Sequence, residues 1–158
     1  MGGIEYIATA MRSRPTGSEL QFSACRALAK LARHADNLVK IDAAGGIECI
    51  ATSMRSHPTD GKLRLSAYLA LVKLAFHADN WVKIEAAGGI ECIATAIRSH
   101  PTDGRLQYRA RGALGSLALH ADNRVKIEAA GGIECIATAM RSHPTDSELQ
   151  LSACRAPS

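Results

Sequence analysis

The chain is poor in aromatic residues: one Trp, three Tyr and two Phe make up 4% of 158 residues. Strands favour aromatic and β-branched side chains, so this scarcity, beside abundant alanine, argues for closely packed helices. No apolar run reaches the roughly 20 residues of a membrane-spanning helix. Met1 leads straight into Gly-Gly-Ile-Glu, without the basic stretch and apolar run of a secretion signal. Five cysteines are present, but no C-x-x-C joins any of them, so the usual zinc and redox spacings are missing. Neither sign of charge dominates: 19 Lys and Arg stand against 15 Asp and Glu, a net charge of +4. That mild excess does not by itself point to nucleic acid.

What the sequence does have is repetition. Gly-Gly pairs stand at 2/3, 45/46, 88/89 and 131/132, a strict period of 43 with no insertion. Self-similarity at such a period marks an array of stacked helical units. The periods run 2–44, 45–87, 88–130 and 131–158, the last incomplete. Units of this kind touch only their neighbours, so 1–158 reads as a single domain. About 31 of 43 positions agree between the second and third periods, as recent duplication or consensus-style engineering would leave them.

Within 45–87, Ile47, Ile50, Ala51 and Met54 recur at i, i+3, i+4, i+7 and predict one buried helix face, ending near His57 before Pro58. Thr59 and Asp60 are placed to cap a long helix over about 61–76. Its stripe is Leu63, Ala67, Ala70, Leu71 and Leu74. His-Ala-Asp-Asn at 77–80 breaks it, and Asp79 or Asn80 is expected to cap a short helix over 81–87. Gly88-Gly89 then ends the short helix, glycine supplying the left-handed residue that helix ends favour. Each period thus holds a middle, a long and a short helix. Pro157 cuts the final long helix short. The first and last units look unlike polar caps, which suggests a piece of a longer array or a chain that pairs through its ends.

The run Ala44-Gly45-Gly46-Ile47-Glu48, with its copies at 87–91 and 130–134 and the long-helix stretch 20–32, resembles the armadillo repeat family. The resemblance covers essentially the whole chain and implies an all-α, right-handed solenoid of about four three-helix units, the terminal ones truncated. It also implies a concave groove, lined by the long helices, that holds an extended peptide. Importin-alpha-like members carry a Trp and, four residues on, an Asn in that groove. Here those positions hold Arg26, Leu69, Gly112 and Arg155, then Lys30, Lys73 and Ser116. The ladder is missing, which argues against a nuclear-import adaptor.

The face of each long helix away from its apolar stripe can be read by spacing alone. It offers Ser23, Arg26, Lys30 and Arg33; Ser66, Leu69, Lys73 and Phe76; Arg109, Gly112, Ser116 and Leu119; and Ser152 with Arg155. Six of these are basic and none acidic. A concave surface of one sign attracts the other, so the expected partner is a protein or peptide with an extended acidic segment. Phe76, Leu69 and Leu119 would add apolar contacts. The functional expectation is a non-catalytic protein-interaction scaffold, resembling the basic groove of beta-catenin-type members. Self-association through the ends is the alternative.

Other candidates for chemistry are weaker. His34, His77 and His120, followed by Ala-Asp-Asn, come once per period and too far apart to share an ion; helix-end interactions explain them, as they do His57, His100 and His143. The glycine pairs follow helices rather than strands, unlike phosphate-binding loops. Cys49, Cys92 and Cys135 share one repeat position, Cys25 and Cys154 another, at separations beyond disulfide reach. They are expected to be small buried hydrophobes in a reducing compartment, cytoplasm or nucleus. Trp81 is expected to be a partly covered surface aromatic. No active site, metal or cofactor is expected, and no membrane or nucleic-acid partner.

Overall fold

The structure, a computed structural model, describes residues 2–142. Among them run ten α-helices and no strand: α1 (Gly3–Ser13), α2 (Ser18–Leu31), α3 (Ala35–Ala43), α4 (Gly46–Ser56), α5 (Gly61–Leu74), α6 (Trp81–Ala86), α7 (Gly89–Ser99), α8 (Gly104–Leu117), α9 (Ala121–Ala129) and α10 (Gly132–Ser142). A single 3₁₀ turn, Ala78–Asn80, precedes α6. The long helices form a row with α5 between α2 and α8, while the middle helices pair as α1 with α4 and α7 with α10. The fold is an all-helical repeat, and its helix bounds fall within a few residues of those read from the sequence.

The local causes repeat as well. Gly45, Gly88 and Gly131 end the short helices at φ of 75°, 81° and 76°, the left-handed region that glycine enters without strain. The second glycine of each pair has a different duty. A Cβ on Gly89 would lie 2.3 Å from Ile84 Cγ2 and 2.8 Å from the Ile84 carbonyl oxygen, so the chain closes there only over a hydrogen atom. Asp60 and Asp103 cap their long helices as expected, accepting from Leu63 N–H and Leu106 N–H at 3.0 Å. Asp60 also takes a hydrogen bond from Ser18 Oγ at 2.6 Å, which ties the starts of α2 and α5 together and holds that carboxyl's pKa below the ordinary carboxylate value.

Two expectations need correction. Neither Asp79 nor Asn80 caps the short helix through its side chain. Instead Asn37, Asn80 and Asn123 turn back and donate from Nδ2 to the carbonyls of Leu31, Leu74 and Leu117, at 2.9–3.0 Å. The last turn of a long helix has carbonyls without intrahelical partners, and a side-chain amide six residues on satisfies one of them. The His34 series does not bring its rings to carbonyls either. His77 and His120 leave Nδ1 without a hydrogen bond among the described residues, and it is the backbone N–H that bonds Leu74 O and Leu117 O. The other series behaves as read: His57 Nδ1 sits 3.0 Å from Ser53 O and His100 Nδ1 3.2 Å from Ala96 O.

The core consists of the expected stripes and more. Leu63, Ala67, Ala70, Leu71 and Leu74 are sealed, but so are Tyr68 and Val72, because α5 is covered on both sides. Arg111, in the register of Cys25 and Tyr68, is fully buried and donates from Nε to Gln107 O at 2.9 Å. The middle helices are fastened to the short helices that follow them along a seam. Arg12, Arg55 and Arg98 each donate to the carbonyl ending the next short helix, Ala44, Ala87 and Ala130, at 2.9–3.2 Å. Arg55 and Arg98 also pair with Glu48 and Glu91 at 2.8 Å. Lys83 pairs with Asp42 at 2.6 Å and Lys126 with Glu85, one unit to the next.

Candidate functional site

The candidate groove is built on α2, α5 and α8, whose packing side by side sets equivalent residues in rows. On α2, Ser23, Arg26 and Lys30 are exposed, as is Arg33 in the turn beyond. On α5, Ser66, Leu69 and Lys73 are half-buried and Phe76, just past its end, is 55% exposed. On α8, Arg109, Gly112 and Ser116 are half-buried and Leu119 beyond it is 64% exposed. Ser152 and Arg155 lie outside the described residues.

The structure brings part of this set together. Lys73 reaches back one unit and donates from Nζ to the Ala29 carbonyl, which holds its stem across the α2–α5 junction. Partial burial pushes its ammonium below the ordinary lysine range, and the like charges of Arg109 and Arg33 push the same way. Cations from three successive units therefore share one field. Beside them the Phe76 ring lies on Gly112: a Cβ added there would come 3.3 Å from Phe76 Cζ. The missing side chain of Gly112 is what admits the ring, a pairing that sequence spacing did not reveal. Tyr108, also on α8, is 43% exposed. Among the described residues no hydrogen bond or ion pair ties Ser23, Arg26, Lys30, Ser66, Leu69, Ser116 or Leu119 to this cluster.

Other singled-out residues are structural. Trp81 is half-buried and donates from Nε1 to Ala75 O at 2.8 Å. Arg124, in the same register, donates from Nε to Ala118 O at 2.8 Å, while Leu38 there is buried, so the position is not uniformly outward. Cys25, Cys49, Cys92 and Cys135 are free thiols, all buried except the half-buried Cys92. Burial raises the Cys25 thiol to about 12, against a weaker opposing hydrogen bond with Ser53. Burial likewise raises Cys49 and Cys92. Such thiols are poor nucleophiles. Among the described residues no helix is long and apolar enough to cross a membrane.

Neither the sequence patterns of described protein families nor the sequences of curated proteins match the chain. Solved structures do. An engineered protein whose crystal structure comes from the Northeast Structural Genomics Consortium is 34% identical over 99% of this chain, with a TM-score of 0.74. A second engineered protein from the same consortium is 35% identical over 98% of it, with a TM-score of 0.75. This chain spans 61% of the first and 36% of the second, so it is similar in fold and sequence to parts of two longer engineered proteins.

Proposed function

We propose that the chain is an armadillo-like array, a right-handed superhelix of about four three-helix units, that acts as a non-catalytic protein-interaction scaffold. Its partner is an extended acidic peptide segment lying across α2, α5 and α8. The observation that carries this reading is the gathering of Arg33, Lys73 and Arg109 from three units around a half-buried lysine. Like charges held together raise one another's energy, and carboxylates arriving between them relieve it. Phe76 and Leu119, both exposed, offer apolar contact next to that charge. The free thiols fit a reducing compartment such as cytoplasm or nucleus. The missing Trp–Asn ladder speaks against import-signal recognition, and the likeness to engineered proteins fits a chain assembled from consensus-style units.

The test is a titration with a fluorescent peptide of alternating glutamate and leucine. Lys30→Ala with Lys73→Ala should weaken binding about tenfold at low salt and less at physiological salt. Unchanged affinity would sink the groove reading.

A second reading, self-association, has its own observations. Tyr6 is 69% exposed although its register-mates Cys49 and Cys135 are buried, and Ile133 is 56% exposed although Ile47 and Ile90 are buried. Light scattering separates the two: a mass that climbs with concentration favours self-association, and a constant monomer mass favours the peptide-binding scaffold.

A further inference from the structure

Two clefts open along the seam at equivalent places, two periods apart. The first, about 390 Å³, includes Met11, Arg12, Gln21, Cys49 and Ser53 in its lining. The second, about 240 Å³, includes Ile97, Arg98, Gln107, Cys135 and Thr138. In each, an arginine sets a guanidinium nitrogen near a buried thiol: Arg12 Nη1 is 3.6 Å from Cys49 Sγ and Arg98 Nη1 3.8 Å from Cys135 Sγ. At the seam between them Arg64 replaces the glutamine and spans from Pro58 O to Tyr68 Oη.

The two glutamines differ in one atom's circumstances. Gln21 Nε2 donates to Met11 O and Arg14 O, and Gln107 Nε2 donates to Ile97 O and His100 O, at 2.8–2.9 Å. Gln21 Oε1 accepts from Ser53 Oγ. Gln107 Oε1 accepts nothing among the described residues, although the residue is 1% exposed. The position matching Ser53 there is Ala139, which has no hydroxyl. A buried amide oxygen without a donor bears its full desolvation cost, and a ligand that supplies the donor recovers it.

We propose that the second cleft is a binding site for a small, flat, largely apolar molecule carrying one O–H or N–H donor, such as a phenol or an indole. Its donor takes on Gln107 Oε1 the place that Ser53 Oγ takes on Gln21, and its ring lies against Ile97 and Cys135. The volume suits a single ring system rather than a drug-sized ligand. This site stands apart from the groove and does not rest on the peptide-binding reading.

Phenol and toluene are matched probes, since they differ by the donor. Titrated into the full chain and followed through the side-chain amide resonances of Gln107, phenol should saturate and shift them. Toluene should bind about 3- to 10-fold more weakly. Ser53→Ala frees Gln21 Oε1 and should add a second phenol site, reported by the Gln21 amide. Equal affinity for the two probes, or no saturable shift, overturns the proposal on the unaltered protein alone. So does a folded Ser53→Ala chain that still binds phenol at one site.

Discussion

The seam and the candidate groove face are built on opposite habits. Along the seam the same residue returns in every unit: Arg12, Arg55 and Arg98 on the next short helix's carbonyl, Asn37, Asn80 and Asn123 on the previous long helix's end. On the face of α2, α5 and α8 the residue changes at each step, from Arg26 to Leu69 to Gly112 and from Arg33 to Phe76 to Leu119. The seam atoms are committed to partners inside the protein, and most side chains of the candidate groove have no such hydrogen bond or ion pair among the described residues. Between these two sets, invariance goes with structural bonding and variation with freedom to meet something else; the Gln21, Arg64 and Gln107 position, which changes and still bonds inside the protein, is an exception. Lys73 sits between these habits: it bonds Ala29 O and still faces the cations of its neighbours.

That contrast can be broken or sharpened by substitution. The largest effect should come from Gly89→Ala, whose methyl would collide with Ile84 Cγ2 and carbonyl at the turn into α7. Displacing that helix should cost about 3 kcal/mol in urea unfolding. Ser53→Ala should cost about 2 kcal/mol, because it strands a buried glutamine oxygen. Next comes pH. Between the ordinary value of 9.0 and about 12, folded Cys25 keeps a proton that the unfolded chain surrenders. Stability is thus whole below pH 9 and falls as pH rises through this window, by about 1 kcal/mol at pH 10 from this thiol. Thermal unfolding of Cys25→Ser against the parent between pH 7 and 10 should show the dependence shrink. Lys83→Ala breaks an ion pair whose lysine is mostly exposed, and should cost less than about 1 kcal/mol. Smallest of all, Arg26→Ala on the groove face should move stability by no more than about 0.5 kcal/mol, since the side chain is exposed.

Much of this architecture could be read from the residues. The glycine pairs, the aspartate caps and the stripe Leu63–Leu74 all act within one helix turn of themselves, where spacing carries the information. The asparagine carbonyl clamps and the Arg-to-carbonyl fasteners did not show. Their acceptors are backbone atoms, which every residue has, and for the arginines they lie 32 positions away. Arg111 escaped for a related reason: its charge argues for a surface, and only the three-dimensional crowding around α8 reveals that it is sealed. At the candidate groove, the faces of α2, α5 and α8 follow from helical periodicity. The Phe76–Gly112 contact follows from how two helices pack, which no single-helix pattern encodes.

The arginine fasteners also make the chain modular. Each period carries both an arginine and the carbonyl it bonds, the latter placed at the glycine turn, while Lys83 and Lys126 reach the carboxylates of the period before. A further 43-residue cassette spliced in at Gly88-Gly89 would arrive with every junction already matched on both sides. Lengthening the molecule would then need no redesign of the parts it already has.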